Sequence, residues 1–449
     1  EVAKKPSKKE KKITDPIFKF EVKAPKKAKK APLFDSRSVY QLAVNYPDQF
    51  GAEPHQNSST NWIQNGSPMN LSFQTPPQQG FLLGMKLSPD GQVLCSFSQL
   101  GYIYIYDSNT MEMLCKLRDT EEPNIDEFYI DRHRWSEADE DNHILPCPIK
   151  IFDLSSGKVV TKLEGHAEEV LSIKHVYFKG ESYYLTCSQD GTIIKWKLNP
   201  LTMEVESKST IQDGVTCMAF NTSFVPNCGN KYFLAACDNQ VKLFDFELEK
   251  FLQAFDSQFS SYCDCLKFIN LSMDSLQFFE SELSAVNNLF NNGTEDDEDE
   301  DDFEDDIDRS IKFPDAYFVA RGVELLDMEE NTVASRPNSV CLYRFIFPKN
   351  DNDKFDIQLV KKYGNERYYS NSWLIKITSD GSNLLAPTLN GQVFVFDLKT
   401  GQVKDVLKGV SELEVRDVII HHTLEKVFIC ADDGVIYTYV PSSQPIEID

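Results

Sequence analysis

The feature that most constrains the fold is a short strand-like run that recurs along the chain at a nearly constant interval. Seven runs of β-branched and aromatic residues occur, at IYIYD (103–107), IKIFD (149–153), IIKWK (193–197), VKLFD (241–245), VCLYR (340–344), VFVFD (393–397) and VIYTY (435–439). Their last residues are 46, 44, 48, 99, 53 and 42 positions apart. A period near 44 residues predicts a repeat architecture. The interval of 99 residues predicts one repeat that carries an insertion.

Tight turns punctuate the same repeats. Asp-Gly or Asn-Gly pairs occur at 90–91, 190–191, 380–381, 390–391 and 433–434. These pairs favour two-residue hairpin turns, because the central positions of such turns need positive φ. Successive strands within a repeat are therefore expected to be antiparallel neighbours. Four-stranded sheets of this kind are stable when they stack radially as the blades of a propeller.

One repeat resembles the WD40-repeat family in its polar residues. The matching residues are Gly165-His166, Thr186, Asp190 and Trp196, which stand for the family's Gly-His pair, strand hydroxyl, turn aspartate and strand tryptophan. The resemblance implies that the His, Thr, Asp and Trp side chains form a buried hydrogen-bonded network that is structural. Lys197 replaces the family's usual aspartate, and most other repeats have Phe or Tyr for the tryptophan.

The expected fold is therefore all-β, a WD40-type propeller of seven blades over residues 38–449, preceded by a basic disordered tail at 1–37. The blades are expected at 81–117, 118–163, 166–206, 214–256, 262–364, 371–408 and 414–440. The last blade lacks its outer strand, and propellers of this family close by borrowing that strand from the N-terminal segment. Residues 38–44 alternate suitably and are predicted to supply it, which would leave no open sheet edge.

The fifth repeat carries an insertion at 270–312. Apolar residues recur there at spacings of three and four, namely Leu276, Phe279, Leu283, Val286 and Phe290. This spacing predicts an amphipathic helix with Asp274 as its N-cap. The helix either packs on its own propeller or offers its apolar face to a partner.

The net charge of −24 is distributed unevenly. Residues 1–32 hold twelve lysines against four carboxylates, whereas residues 295–308 hold twelve carboxylates and no base. Such dense like charge predicts disorder in both segments. The lysine-rich segment is interpreted as a solubilising tail, a nuclear import signal or a phosphate-contacting arm. The acidic run is interpreted as a solubilising loop, a mimic of nucleic acid or an internal mask for the lysines.

The sequence contains no motif that indicates catalysis. P-loop, GxSxG, HExxH and HRD-type patterns are all missing. Cys263 and Cys265 have no second pair or nearby histidine at zinc spacing. The sequence has no run of about 18 apolar residues, which is the length that a membrane-spanning helix needs. We therefore expect no enzymatic activity, cofactor, metal, membrane association or small-molecule substrate.

Propellers of the family usually bind peptides or protein surfaces across the top face, near the axis. Alignment of each blade's first strand on the Gly165-His166 repeat predicts the contact residues Leu83, Glu169, Leu171, Thr216, Asp264, Trp373, Glu414 and Arg416. Trp373 with Arg416 is expected to form a hot spot. The alternative is ordinary packing between blades. The three acidic residues of the set suggest a basic ligand.

The expected function is a non-enzymatic interaction scaffold, a subunit of a nuclear complex associated with chromatin or nucleic acid. It would bind other proteins through the top face and the 270–312 insertion. One alternative is the substrate receptor of a cullin-type ubiquitin ligase, although the WDxR signature common in such receptors is missing. Another is nucleic-acid binding through residues 1–32. Nuclear localisation is expected from the lysine-rich segment, with the cytoplasm as the alternative.

Overall fold

The structure, a computed structural model, describes residues 34–46, 69–119, 148–256, 258–291, 315–327, 332–333, 338–348, 353–408 and 411–442. The lysine-rich segment 1–32 and the acidic run 295–308 lie outside the described residues. The first elements along the chain are helix α1 (Ser36–Asn45) and strand β1 (Met69–Gln74).

Within the described parts of the chain, six antiparallel four-stranded sheets form the blades of the propeller, and each is named here after its inner strand. The β2 blade consists of β2 (Leu82–Leu87), β3 (Val93–Ser98), β4 (Ile103–Asp107) and β5 (Met113–Leu117). A two-stranded sheet of β6 (Ile149–Asp153) and β7 (Lys158–Leu163) follows in the chain. The β8 blade consists of β8 (Val170–Phe178), β9 (Glu181–Ser188), β10 (Ile193–Leu198) and β11 (Val205–Ile211). The third consists of β12 (Ala219–Phe224), β13 (Tyr232–Cys237), β14 (Gln240–Asp245) and β15 (Lys250–Ala254).

The remaining blades follow in chain order. The β16 blade contains β16 (Cys263–Ile269), helix α2 (Met273–Asn291), β17 (Ala316–Gly322), a small pair β18 (Leu325–Asp327) and β19 (Thr332–Val333), β20 (Ser339–Ile346) and β21 (Asp356–Gly364). The β22 blade consists of β22 (Thr378–Ser379), β23 (Asn383–Pro387), β24 (Val393–Asp397) and β25 (Val403–Leu407). The β26 blade consists of β26 (Val415–His421), β27 (Lys426–Ala431), β28 (Ile436–Pro441) and the N-terminal strand β1. The long interval between the fourth and fifth runs is thus a single blade with an insertion.

The prediction of seven blades is wrong, since the residues that the structure describes form six four-stranded blades. The predicted second blade, 118–163, contributes only the two-stranded sheet of β6 and β7. Its other two strands would fall within residues 120–147, outside the described residues. The sequence there, DEFYIDRHRWSEADEDNHIL, is dense in carboxylates and lacks the alternation of a buried strand. Next to this sheet, the inner strand β8 leaves Ile173 and Tyr177 exposed.

Closure by residues 38–44 is also wrong, because residues 36–45 form a helix. Asp35 accepts a hydrogen bond from the Ser38 N–H at 3.0 Å and so caps α1. Val39 and Leu42, three residues apart, share one helical face and are both buried, whereas on a strand they would point in opposite directions. The outer strand of the last blade is β1, which pairs antiparallel with β28 from Met69 opposite Pro441.

Adjacent blades share the core. Phe233 in the β12 blade packs in one cluster with Leu185 of the β8 blade, and Phe428 of the β26 blade packs in another with Leu94 of the β2 blade. Turns between second and third strands bond to the segment that begins the next blade. The Val415 N–H, for example, donates to the Thr388 carbonyl at 3.1 Å. The starts of the inner strands therefore meet at one end of the ring, the top face.

Helix α2 of the insertion packs on its own blade through its first half. Phe279 is fully buried in a cluster between the β16 and β22 blades, with Leu276 and Phe278 against the same cluster. The N-cap is Ser272, whose hydroxyl accepts from the Ser275 N–H at 3.3 Å, and not Asp274 as predicted. The helix follows the end of β16, so it begins at the opposite end of this strand from the top face.

Candidate functional site

The four residues of the WD40-type network come together in the β8 blade. The Trp196 indole N–H donates to the Thr186 hydroxyl at 2.9 Å, and His166 Nε2 lies 2.7 Å from the same oxygen. His166 Nδ1 lies 3.1 Å from the Asp190 carboxylate. Burial lowers the pKa of His166, so its ring is neutral at pH 7. His166 lies in the loop before β8, Thr186 on β9, Trp196 on β10 and Asp190 in the turn between β9 and β10. The network therefore holds these segments of the blade together, which is a structural role.

The top face carries a ring of exposed apolar side chains. Five of the six blades place one at the start of the inner strand or in the loop before it, and we call the set Leu83, Val215, Tyr262, Trp373 and Leu413 the mouth ring. Their exposed fractions run from 36% for Tyr262 to 77% for Val215. Large apolar side chains gathered at one face of a folded protein are typical of a surface that a partner covers.

Two of the predicted contact residues, Leu83 and Trp373, belong to this ring. Trp373 packs edge to face on the buried Phe220, with ring centroids 6.4 Å apart. Tyr262 packs on the same phenylalanine from another direction at 5.6 Å. Phe220 is thus a buried support that holds two exposed aromatic rings beside each other. Trp373 thus packs against a side chain of another blade, as the alternative interpretation expects, and remains 38% exposed; its role as a hot spot stays a prediction.

Three other predicted residues are partly buried and contact side chains of this chain. Thr216 is held by Asp213 and by Lys242 Nζ at 2.8 Å. Glu169 is half-buried and accepts from the Gln189 amide at 2.7 Å. Leu171 packs against the core beside the β12 blade. These side chains support the top face and present little surface of their own.

The loop that presents Trp373 is fixed from below by a buried arginine, Arg321. Its guanidinium donates to the carbonyls of Ser370 at 2.8 Å, Ser372 at 2.6 Å and Ile375 at 3.3 Å. Three bonds from one rigid, planar group leave this loop little freedom. Trp373 is therefore preorganised as a contact side chain.

Asp264, predicted as a contact residue, is instead the buried partner of Arg321. Its carboxylate lies 3.2 Å from the guanidinium, and neither side chain is more than 1% exposed. Burial raises the pKa of Asp264 to about 6, and Arg321 opposes that shift. Leu374, next to Trp373, adopts a positive φ of 62°, which costs energy for a residue with a branched side chain. The loop is thus strained, and a buried ion pair holds it.

Arg416 and Glu414 form a second ion-pair cluster beside Trp373. Arg416 binds the Asp432 carboxylate through two nitrogens, at 2.7 and 2.8 Å, and Glu414 through a third at 2.9 Å. It also donates to the Trp373 carbonyl at 3.2 Å. Burial raises the pKa of Glu414. Arg416 is therefore engaged internally, and its expected pairing with Trp373 is made through the backbone.

Sequence reasoning missed Val215, Tyr262, Leu413 and Arg321. The first three are isolated apolar residues in the polar loops QDGVTC, SSYCDC and VSELEV, one or two positions from residues that the alignment selected. Arg321 is a single base within the apolar run AYFVARG, a pattern that indicates a buried ion pair. The isolated base at Arg321 is readable in the sequence, whereas the exposure of the three loop residues depends on packing that the sequence does not show.

Across the described parts of the chain, no group of three or more His, Cys, Asp or Glu side chains is arranged to hold a metal ion. Nor does any described helix have the length and apolar character needed to span a membrane.

Comparison with known families supports the propeller assignment. A family model described as WD domain, G-beta repeat matches residues 157–197. This segment contains β7, β8, β9 and all but the last residue of β10, together with the His166, Thr186, Asp190 and Trp196 network. No curated protein sequence shows a significant match to the chain.

Proposed function

We propose that this β-propeller, one repeat of which matches the WD40 family model, serves as a non-enzymatic scaffold that joins other proteins in a nuclear complex. The role as an interaction scaffold rests on the fold, since propellers of this kind fit a role in protein interaction. The observation that carries it further is the mouth ring, where five blades present apolar side chains on one face.

The mouth ring has the properties of a contact surface. Trp373 and Tyr262 are large, partly exposed aromatic side chains, the types enriched at the centres of protein interfaces. Arg321 fixes the Trp373 loop in advance, so a partner would lose little free energy in ordering it. Carboxylates and guanidiniums at the base of the ring supply the polar surroundings that interfaces place around an apolar centre.

The proposal also includes a location for the chain, the nucleus. Its support is the lysine-rich segment 1–32, which has the composition of an import signal. Deletion of 1–32 is expected to move a fluorescent fusion of the chain out of the nucleus and to leave its partners unchanged. A deletion variant that remains nuclear would contradict this assignment without touching the scaffold proposal.

The scaffold proposal is tested by quantitative affinity purification of the full chain. A Trp373→Ala, Tyr262→Ala double variant is expected to lose at least one protein partner that the wild type retains. Leu201→Ala is the matched control, since Leu201 is 92% exposed but lies in the loop between β10 and β11, at the other end of the ring. Identical partners for all three proteins would refute a role for the mouth ring.

A further inference from the structure

We infer that the mouth ring binds a protein segment in which a basic side chain neighbours an apolar one. This inference rests on the proposed function, because it assumes that the top face binds a protein. It adds the chemistry of the partner. The apolar groups around Trp373 indicate an apolar side chain in the partner, and the charged groups indicate a basic one.

The apolar half of the site lies between two exposed rings. Trp373 and Tyr262 both stand edge to face on Phe220, and Phe220 itself is 1% exposed. An aliphatic or aromatic side chain of a partner that lies on these rings would cover apolar surface without any change in the core beneath. The exposed face of a tryptophan also attracts a cation.

The charged half of the site has more acids than bases. Four acidic residues lie at the loop that carries Trp373 and the loop before β26: Glu414, Asp432 and the buried Asp264, which pair with arginines, and Glu324, whose backbone N–H donates to Asn371 at 2.9 Å. Among the described residues, two guanidiniums face them, those of Arg321 and Arg416. Both are already bound by carboxylates or backbone carbonyls of this chain.

The acidic excess is placed where a cation would be favoured. Glu414 is half-buried, and burial raises its pKa, so its charge is poorly solvated and gains from a second cation nearby. The Glu324 carboxylate accepts from the Ser260 N–H and hydroxyl, and its side chain is thereby fixed beside the loop that carries Tyr262. Lys376, three residues after Trp373, adds a cation to the same loop, but its ammonium lies 3.5 Å from the Asp417 carboxylate, which offsets its charge.

The same charges disfavour a nucleic acid on this face. Phosphate binding needs lysine or arginine side chains that are not committed elsewhere. The guanidiniums nearest Trp373 are committed to Asp264, Asp432 and Glu414. A polyanion would therefore meet surplus carboxylates at the mouth ring, whereas a basic protein segment would meet complementary charge.

The test is a selection of random 12-residue peptides displayed on phage against the full-length chain, followed by affinity measurements on synthetic peptides. Enriched peptides are expected to carry Lys or Arg next to an aromatic or aliphatic residue. Trp373→Ala should weaken their binding at least about thirtyfold, as for a hot spot. Glu414→Gln keeps an acceptor for Arg416 and removes one charge, and it should weaken binding about fivefold.

The outcomes separate this inference from the proposed function. Selected peptides that need Trp373 but carry no basic residue, or that bind Glu414→Gln as tightly as the wild type, would overturn the inference and leave the scaffold proposal standing. Enriched acidic peptides, or binding of a single-stranded oligonucleotide that Trp373→Ala abolishes, would overturn it in favour of the opposite charge preference. A selection without any Trp373-dependent peptide would also count against it. Thermal melting of each variant shows that it is folded.

Discussion

The replacement Thr186→Val tests the hydrogen-bonded network that joins the strands of the β8 blade. Valine has nearly the shape of threonine, so the change removes a hydroxyl and leaves the packing in place. Thr186 is fully buried, and its hydroxyl contacts the Trp196 N–H at 2.9 Å and His166 Nε2 at 2.7 Å. Because the Asp190 carboxylate can only accept, the neutral His166 ring donates from Nδ1 and accepts the Thr186 proton at Nε2.

The expected loss follows from the groups that the substitution leaves behind. One buried donor, the Trp196 N–H, and one buried acceptor, His166 Nε2, lose their partner. Each unsatisfied buried group costs about 1–3 kcal/mol, so the free energy of unfolding of the β8 blade should fall by about 3 kcal/mol. This is a large effect for a change of one atom type at constant volume.

The assay is urea unfolding followed by tryptophan fluorescence, with Thr210→Val as the control. Thr210 lies on the outer strand β11 of the same blade, opposite Ile194, and is exposed. The control should change stability by less than about 0.5 kcal/mol. If Thr186→Val is no less stable than Thr210→Val, the hydroxyl is not a central member of the network and the reasoning is refuted.

Two further predictions concern the top face. Burial raises the Asp264 pKa to about 6, so its ionisation costs folded-state stability as pH rises from about 4 to 6 and the cost is constant above that. Urea unfolding should show Asp264→Asn gaining about 1 kcal/mol relative to wild type between pH 5 and pH 7, and parallel pH profiles would contradict this. Gly191→Ala and Gly214→Ala both place a Cβ at positive φ, but only at Gly191 does it meet a neighbour, the Thr216 carbonyl oxygen at 2.3 Å. Gly191→Ala should therefore lower the melting temperature more than Gly214→Ala, and equal shifts would show that blade contact at this turn is loose.

Much of the fold was readable from the sequence because a propeller repeats one local pattern. The third-strand runs and the Asp-Gly turns placed the four-stranded blades, including the one interrupted by α2. The all-β propeller is confirmed. The number of blades was not readable, because a spacing of 46 residues between 107 and 153 has room for a full blade whether or not one forms.

Two segments of the sequence, 38–44 and 69–74, have features of the strand that closes the propeller, and only the second forms it. Met69, Leu71 and Phe73 alternate with polar residues over MNLSFQ, which is the pattern of an outer strand. Residues 38–44, SVYQLAV, carry a similar mixture of apolar and polar residues. The decisive difference is Asp35, whose carboxylate caps a helix three residues before Ser38.

The contact residues were harder to predict than the blades, since they depend on single positions in loops of unequal length. The alignment through one repeat placed Leu83 and Trp373 at the surface, but it selected Asp264 and Thr216 where the exposed neighbours are Tyr262 and Val215. A shift of one or two residues changes a side chain from exposed to buried. The packing of Tyr262 on Phe220 and the pairing of Asp264 with Arg321 decide the first case, and the bonds of Thr216 to Asp213 and Lys242 decide the second.

The most direct measurement of the central claim is site-specific photocrosslinking in cells. A benzophenone amino acid placed at position 413 in the mouth ring, and at position 201 at the opposite end, reports which end of the ring touches a partner. Both positions hold exposed leucines, at 49% and 92%. We predict a crosslinked protein partner from position 413 and none from position 201. A partner captured from position 201 and not from 413 would place binding on the other end of the ring and contradict the account.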